Sequence, residues 1–283
     1  ESPDLKLSRD WNSVNELLDD PQSNLALFRE VLHFFKPVFG FDLTSQSDSP
    51  IGGGLGGSSS LCVSLIKAFL QLQGPTLNTN GLVELASNIE ARVLRKPTGT
   101  QDYFPAIQGG INIITYGLQG PMARVLEIDE TYFNSRFFLV YTGEAHHSGL
   151  NNWEIYKNCL EGESRTLGIM EDIRLIAAKM SEAVQAKRYT EFGELFDQEL
   201  ECRRRLATGY VIPAIEELVA LARTRNANVK VCGAGGGRLV QPLGTEGARR
   251  RDPGHRQLSA VRPEHPGPRD AGATGQPRRR LGL

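Results

Sequence analysis

Residues 50–60 read Pro50-Ile51-Gly52-Gly53-Gly54-Leu55-Gly56-Gly57-Ser58-Ser59-Ser60, five glycines and three serines in eleven positions. Glycine has no Cβ, so a chain of this kind can turn its backbone N–H groups toward one point. Upstream, Phe41-Asp42-Leu43-Thr44-Ser45-Gln46 alternates apolar and polar residues as a half-buried strand does, and Pro50 ends any ladder. Downstream, Leu61, Leu65, Ile66, Phe69 and Leu72 recur at helical spacing until Gly74-Pro75 stops the pattern. A strand, a glycine turn and a helix start follow in order, and the helix adds its orphan N–H groups and positive dipole end. The segment is built to hold an anion.

Two familiar phosphate loops fail here. A GxxxxGK loop needs a lysine at the start of the helix, and the nearest, Lys67, lies two turns in. Gly52, Gly54 and Gly57 satisfy GxGxxG, but no Asp or Glu between Ser58 and Val83 is there to hold a ribose. A proline, a run of small residues, Gly-Leu and then a serine-rich stretch resembles instead the second motif of the GHMP kinases. That superfamily includes galactokinase, homoserine kinase, mevalonate kinase and phosphomevalonate kinase. The resemblance implies that Pro50, Gly52, Gly53, Gly54, Leu55, Gly56, Gly57, Ser58, Ser59 and Ser60 hold the phosphates of ATP.

Phosphoryl transfer also needs metal ligands and a group to orient or deprotonate the acceptor hydroxyl. Glu90 lies beside a helical stripe of Leu82, Ala86, Ile89 and Val93, with Thr79 or Asn80 as the expected N-cap. Gly99-Thr100-Gln101-Asp102 is a turn, followed by Gly109-Gly110 and a strand-like run from Ile111 to Tyr116. An Asp in a Gly-x-x-Asp turn shortly after a helical Glu is similar to the GHMP sugar kinases. The likeness makes Asp102 the base or orienting carboxylate, and Ser58 and Glu90 the Mg²⁺ ligands. Hard oxygen donors, one carboxylate and substrate phosphates suit that ion.

Lys230-Val231-Cys232-Gly233-Ala234-Gly235-Gly236-Gly237 resembles the superfamily's C-terminal glycine motif, whose glycines allow close approach to the site. With it, the acceptor side is expected to comprise Asp102, Gly109, Gly110, Gly233 and Gly235, together with Thr142 and Gly143 in the loop after a strand at Arg136–Tyr141. The adjacent His146 and His147 cannot share a helix face as metal ligands and read as a solvated pair. Residues 151–225 show helical periodicity, with Pro213 suited to a first helical turn and Arg203-Arg204-Arg205 reading as a solvated face.

Composition sets the limits. The chain has 283 residues, 40% of them hydrophobic, enough for one or two cored domains. No apolar run reaches the ~18 residues of a membrane span. Cys62, Cys159, Cys202 and Cys232 are scattered, which fits a reducing cytoplasm rather than a disulfide framework. Residues 238–283 hold ten arginines against four acids, a net of +6, so the net charge of −1 leaves −7 for residues 1–237. This tail lacks lysine, isoleucine and aromatic residues and cannot build a core. Clustered arginines can contact phosphates as a nucleic-acid-binding arm, but this composition fits better a tail outside the fold, such as an out-of-frame reading of a GC-rich gene gives.

The expected architecture is α+β, the two-domain GHMP kinase fold with a ribosomal protein S5 domain 2-like N-terminal part and a ferredoxin-like C-terminal part, incomplete at both ends. Residues 1–133 form the first domain, 134–237 the second and 238–283 the tail. Gly-Thr-Gln-Asp followed by Gly-Gly looks most like bacterial heptose-phosphate and galactokinase-like sugar kinases. The expected reaction is ATP- and Mg²⁺-dependent phosphorylation of a small-molecule sugar or sugar phosphate. A mevalonate- or homoserine-type kinase, or an inactive nucleotide-binding fragment, is the alternative.

Overall fold

The computed structural model describes residues 2, 8–21, 25–47, 54–141, 149–206, 211–233, 237–242 and 279–282. It divides into two compact units. The first takes Glu1–Pro50, Gly56–Val125 and Pro263–Leu283, and the second takes Ile51–Leu55 and Leu126–Arg262.

The first unit is built on helices. After the short α1 (Val14–Asp19), α2 (Ala26–Phe35) buries Phe28, Val31, Leu32 and Phe35 on the stripe its spacing predicts. Strand β1 (Phe41–Thr44) alternates half-buried and exposed residues and leads to the glycine segment. The helix α3 (Gly57–Gln73) begins where the serines begin and ends on Gly74, whose φ of 91° only glycine adopts without strain. Its buried face includes Cys62, Val63, Leu65, Ile66 and Phe69. Phe69 stacks on Phe35 at 5.4 Å and meets Phe41 edge-on at 5.3 Å. Each such buried side chain contributes about 1.5–3 kcal/mol.

Helix α4 (Thr79–Leu94) starts one or two residues earlier than the expected caps, Thr79 or Asn80, indicate, because the cap is Asn78. Its Oδ1 accepts the Gly81 N–H at 2.8 Å, a bond that Thr79 and Asn80, already inside the helix, do not supply. Tyr103 and Phe104, at the start of α5 (Tyr103–Gln108), are fully buried and join α2, α3 and α4 in one core. The chain then forms the hairpin β2 (Ile111–Gly117) and β3 (Gly120–Leu126), whose first strand falls where the sequence reading puts it.

The second unit packs helices on an antiparallel sheet. Helix α6 (Glu130–Arg136) precedes β4 (Phe138–Tyr141), so Arg136, expected to open the strand, closes a helix capped by Asp129. Four helices follow: α7 (Gly149–Leu160), α8 (Ser164–Gln185), α9 (Phe192–Leu206) and α10 (Pro213–Arg223). Pro213 stands at the first position of α10, where its missing N–H has no intrahelical partner to lose. Strands β5 (Ala227–Cys232) and β6 (Gly237–Pro242) complete the sheet in the order β4-β6-β5. Gly237 pairs with both Cys232 and Tyr141. The sheet thus runs on to Pro242, five residues into the segment from 238 onward. Residues 279–282 form β7 (Arg279–Gly282), parallel to β1 in the first unit.

Candidate active site

The serines at the start of α3 divide their work by helix geometry. Ser58 and Ser60 are exposed, whereas Ser59 is buried, as a rotation of about 100° per residue requires. Ser58 Oγ donates to Oε1 of Glu90, and Ser59 Oγ donates to Oε2 at 2.7 Å. Glu90 is therefore part of the buried face of α4, with 4% exposure, rather than beside it. A buried carboxylate is tolerated when hydrogen bonds satisfy it.

Beneath this pair lies a layer of protonated groups. Tyr103, fully buried, meets Thr98 Oγ1 at 3.2 Å, and its phenol is held protonated by burial first and by its place beside Glu90. Cys62, equally buried, has its thiol pushed up to about 12, again by burial first and then by Glu90. Neither residue stood out in the sequence. The signal available was helical spacing, which puts Cys62 one turn after Ser58 and on the buried side.

Asp102 precedes α5 at the N-cap position. A capping Asp usually has extended backbone angles and accepts an N–H from the first turn. Here φ is −78° and ψ −24°, and the side chain makes no capping hydrogen bond. Its surroundings push the carboxyl above the usual carboxylate range, through burial first and the nearby charge of Glu90 second. Gly56, with φ of 71°, lies directly against it. A Cβ at Gly56 would sit 3.1 Å from Asp102 Cβ and Cγ, so a glycine is required there for two reasons at once. Gly56, the serine–glutamate pair and the candidate base thus meet in the first unit.

Helix α3 has no side-chain cap, since its N-cap is Gly56 in the left-handed region. The first N–H groups of a helix have no partner within the helix itself. Lys67, set aside as a phosphate ligand, donates instead to the Ile107 carbonyl at 2.9 Å.

The second glycine motif approaches the first within the second unit. Gly233 has φ of 50°, and a Cβ on it would lie 2.6 Å from Gly54 O and 2.9 Å from Gly54 Cα. Gly109 and Gly110 form the turn from α5 into β2, where Asn112 Nδ2 donates to both carbonyls at 2.9 and 3.1 Å. Their contacts serve the turn. Pro50, Gly52, Gly53, Thr142, Gly143, His146, His147 and Gly235 lie outside the described residues.

Residues 24–110, from the approach to α2 through the turn after α5, match the family described as GHMP kinases N terminal domain. Residues 24–110 thus read as a GHMP kinase N-terminal domain. Over 247 residues it is 27% identical to the D-glycero-alpha-D-manno-heptose 7-phosphate kinase of Campylobacter jejuni, covering 84% of this chain and 72% of that one. Among solved structures, a D-glycero-D-manno-heptose 1-phosphate kinase from Bacteroides thetaiotaomicron superposes with a TM-score of 0.53 at 19% identity, over 84% of this chain. The chain spans 66% of that enzyme's length. The Methanococcus jannaschii mevalonate kinase superposes with a TM-score of 0.60 at 20% identity, over 86% of this chain and 76% of its own. The fold is the α+β GHMP kinase fold, and Gly56, Ser58, Glu90 and Asp102 all lie in the matched GHMP kinase domain.

Proposed function

We propose that this chain transfers the γ-phosphoryl group of ATP to a hydroxyl of a sugar or sugar phosphate, of the heptose-phosphate or galactose-like class. One observation carries the assignment of roles: Asp102, uncommitted to capping its own helix, is pressed against Gly56, which opens a helix N-terminus that has no side-chain cap. Phosphoryl transfer asks the protein mainly to position and to stabilise charge. The loop and the start of α3 hold the phosphates, and Asp102 orients the acceptor hydroxyl and accepts its proton. A carboxyl raised toward the working pH is a better-matched base than an ordinary aspartate.

The oxygen donors present fit Mg²⁺, which takes one or two carboxylates and lets phosphates and water complete its shell. Ser58 and Glu90 would hold it, and the described residues contain no cluster of three or more His, Cys, Asp and Glu side chains that would suggest another ion. When bound, the ion would offset charge on the transferred phosphate. Four free thiols support a reducing cytoplasm, and no described helix is long and apolar enough to cross a membrane. The S5-like reading of residues 1–133 and the ferredoxin-like reading of residues 134–237 belong to the same proposal.

The test is ATP-dependent phosphorylation of a panel holding heptose phosphates, galactose, mevalonate and homoserine, with and without Mg²⁺. Turnover of a sugar or sugar phosphate is expected, and preference for mevalonate or homoserine would replace the acceptor assignment. Asp102→Asn should lower kcat at least ~100-fold, the lower range for a general base. A loss of ~10-fold or less would remove Asp102 from that role.

A further inference from the structure

Helix α9 and strand β5 share a charged layer that the reaction itself does not use. Along β5, Ala227, Val229 and Val231 face the core, while Asn228 and Lys230 occupy the alternate positions. Glu199 on α9 is buried, and its Oε1 accepts from Arg203 Nε at 2.6 Å and from Lys230 Nζ at 2.9 Å. Lys230 also donates to the Val231 carbonyl at 2.8 Å, and burial pulls its ammonium down against the opposing pull of Glu199. The outer nitrogen of the guanidinium reaches further. Arg203 Nη1 donates to the Gly233 carbonyl at 2.8 Å.

Gly233 is the residue that lies against Gly54. It follows β5 in the left-handed region, so its carbonyl leaves the ladder and needs a donor. A planar guanidinium held at Nε by Glu199 can present Nη1 in one direction only, which a lysine ammonium cannot do. We propose that Arg203 is a positioning residue for the phosphate loop: anchored by Glu199, it fixes the Gly233 carbonyl, and Gly233 in turn fixes Gly54. Its effect on catalysis rests on the phosphoryl-transfer reading, while the tether itself does not.

Two measurements separate these levels. Amide hydrogen exchange on the full chain reads the tether without nucleotide. In Arg203→Ala, peptides containing Gly233 and Gly54 should exchange faster, with α10 keeping wild-type protection. Arg203→Lys, which keeps a cation beside Glu199 and so preserves the fold, should loosen the same two segments. Unchanged exchange there, acceleration spread evenly over the second unit, or full restoration by lysine would overturn the proposal. Steady-state kinetics reads the consequence: KM for ATP should rise about tenfold, the effect of losing one charge-assisted hydrogen bond, with kcat little changed. An unchanged KM in an active Arg203→Ala enzyme would also overturn it. A wild-type chain that neither binds nor turns over ATP would end the kinase reading, and exchange would still decide the role of Arg203.

Discussion

Asp102 holds a proton more tightly than an ordinary aspartate, because ionising it places a charge in a partly desolvated spot beside Glu90. Between the ordinary aspartate pKa and the raised folded value, the folded chain binds more protons than the unfolded one, so this residue's contribution to stability falls as pH rises through that window. Asp102→Asn removes that penalty. The variant should melt higher than wild type at pH 7 while losing turnover, and the difference should vanish below the ordinary aspartate pKa. Melting curves from pH 3 to 8 check this, and an asparagine variant no more stable at neutral pH would contradict it. Gly56→Ala should fail for another reason. Its φ of 71° and the 3.1 Å approach to Asp102 both oppose a methyl group, so a loss of about 1–2 kcal/mol is expected from the left-handed backbone alone. Equilibrium urea unfolding measures it.

At the scale of elements, α4 carries Glu90, and its start is fixed by a side chain outside it. Asn78→Ala should cost about 1 kcal/mol, read as a shift in urea midpoint with unchanged slope. Much of this level was legible in the sequence. The apolar stripes of α2 and α3 and the glycine stop at Gly74 follow from period and backbone chemistry, which act locally. So does Pro213 at the start of α10. The site was legible in part, because the glycine run and two carboxylates have the spacing of a known motif. What local pattern could not carry was partnership across distance. Ser59 bonding Glu90, Gly56 resting on Asp102, and Tyr103 underneath join residues from different elements. The arginine run shows the same limit. Read as a solvated face, Arg203, Arg204 and Arg205 each find carboxylates, at Glu199, at Glu201 and Glu216, and at Asp172. Glu199 and Glu201, four and three residues before their arginines on the same helix, were within reach of a spacing argument, whereas Glu216 and Asp172 were not.

At the scale of the whole molecule, each unit has its own buried cluster, one around α2, α3 and α4, the other between β5, α9 and α10. Thermal unfolding need not be a single two-state step. A nucleotide that occupies the loop should stabilise the part that includes α3 by about 2.7 kcal/mol at a hundredfold excess over Kd, and so raise the midpoint of that transition. Differential scanning calorimetry with and without a non-hydrolysable ATP analogue checks this, and identical traces would argue against occupancy. The four thiols add something of practical use. Cys62 and Cys202 are buried, and Cys62 stays un-ionised up to about 12, whereas Cys159 and Cys232 are only half-buried. A Cys159→Ser chain treated with a maleimide dye should therefore carry its label at Cys232, the residue before Gly233. The fold thus offers a labelling position next to the glycine that lies against Gly54, without any engineered cysteine.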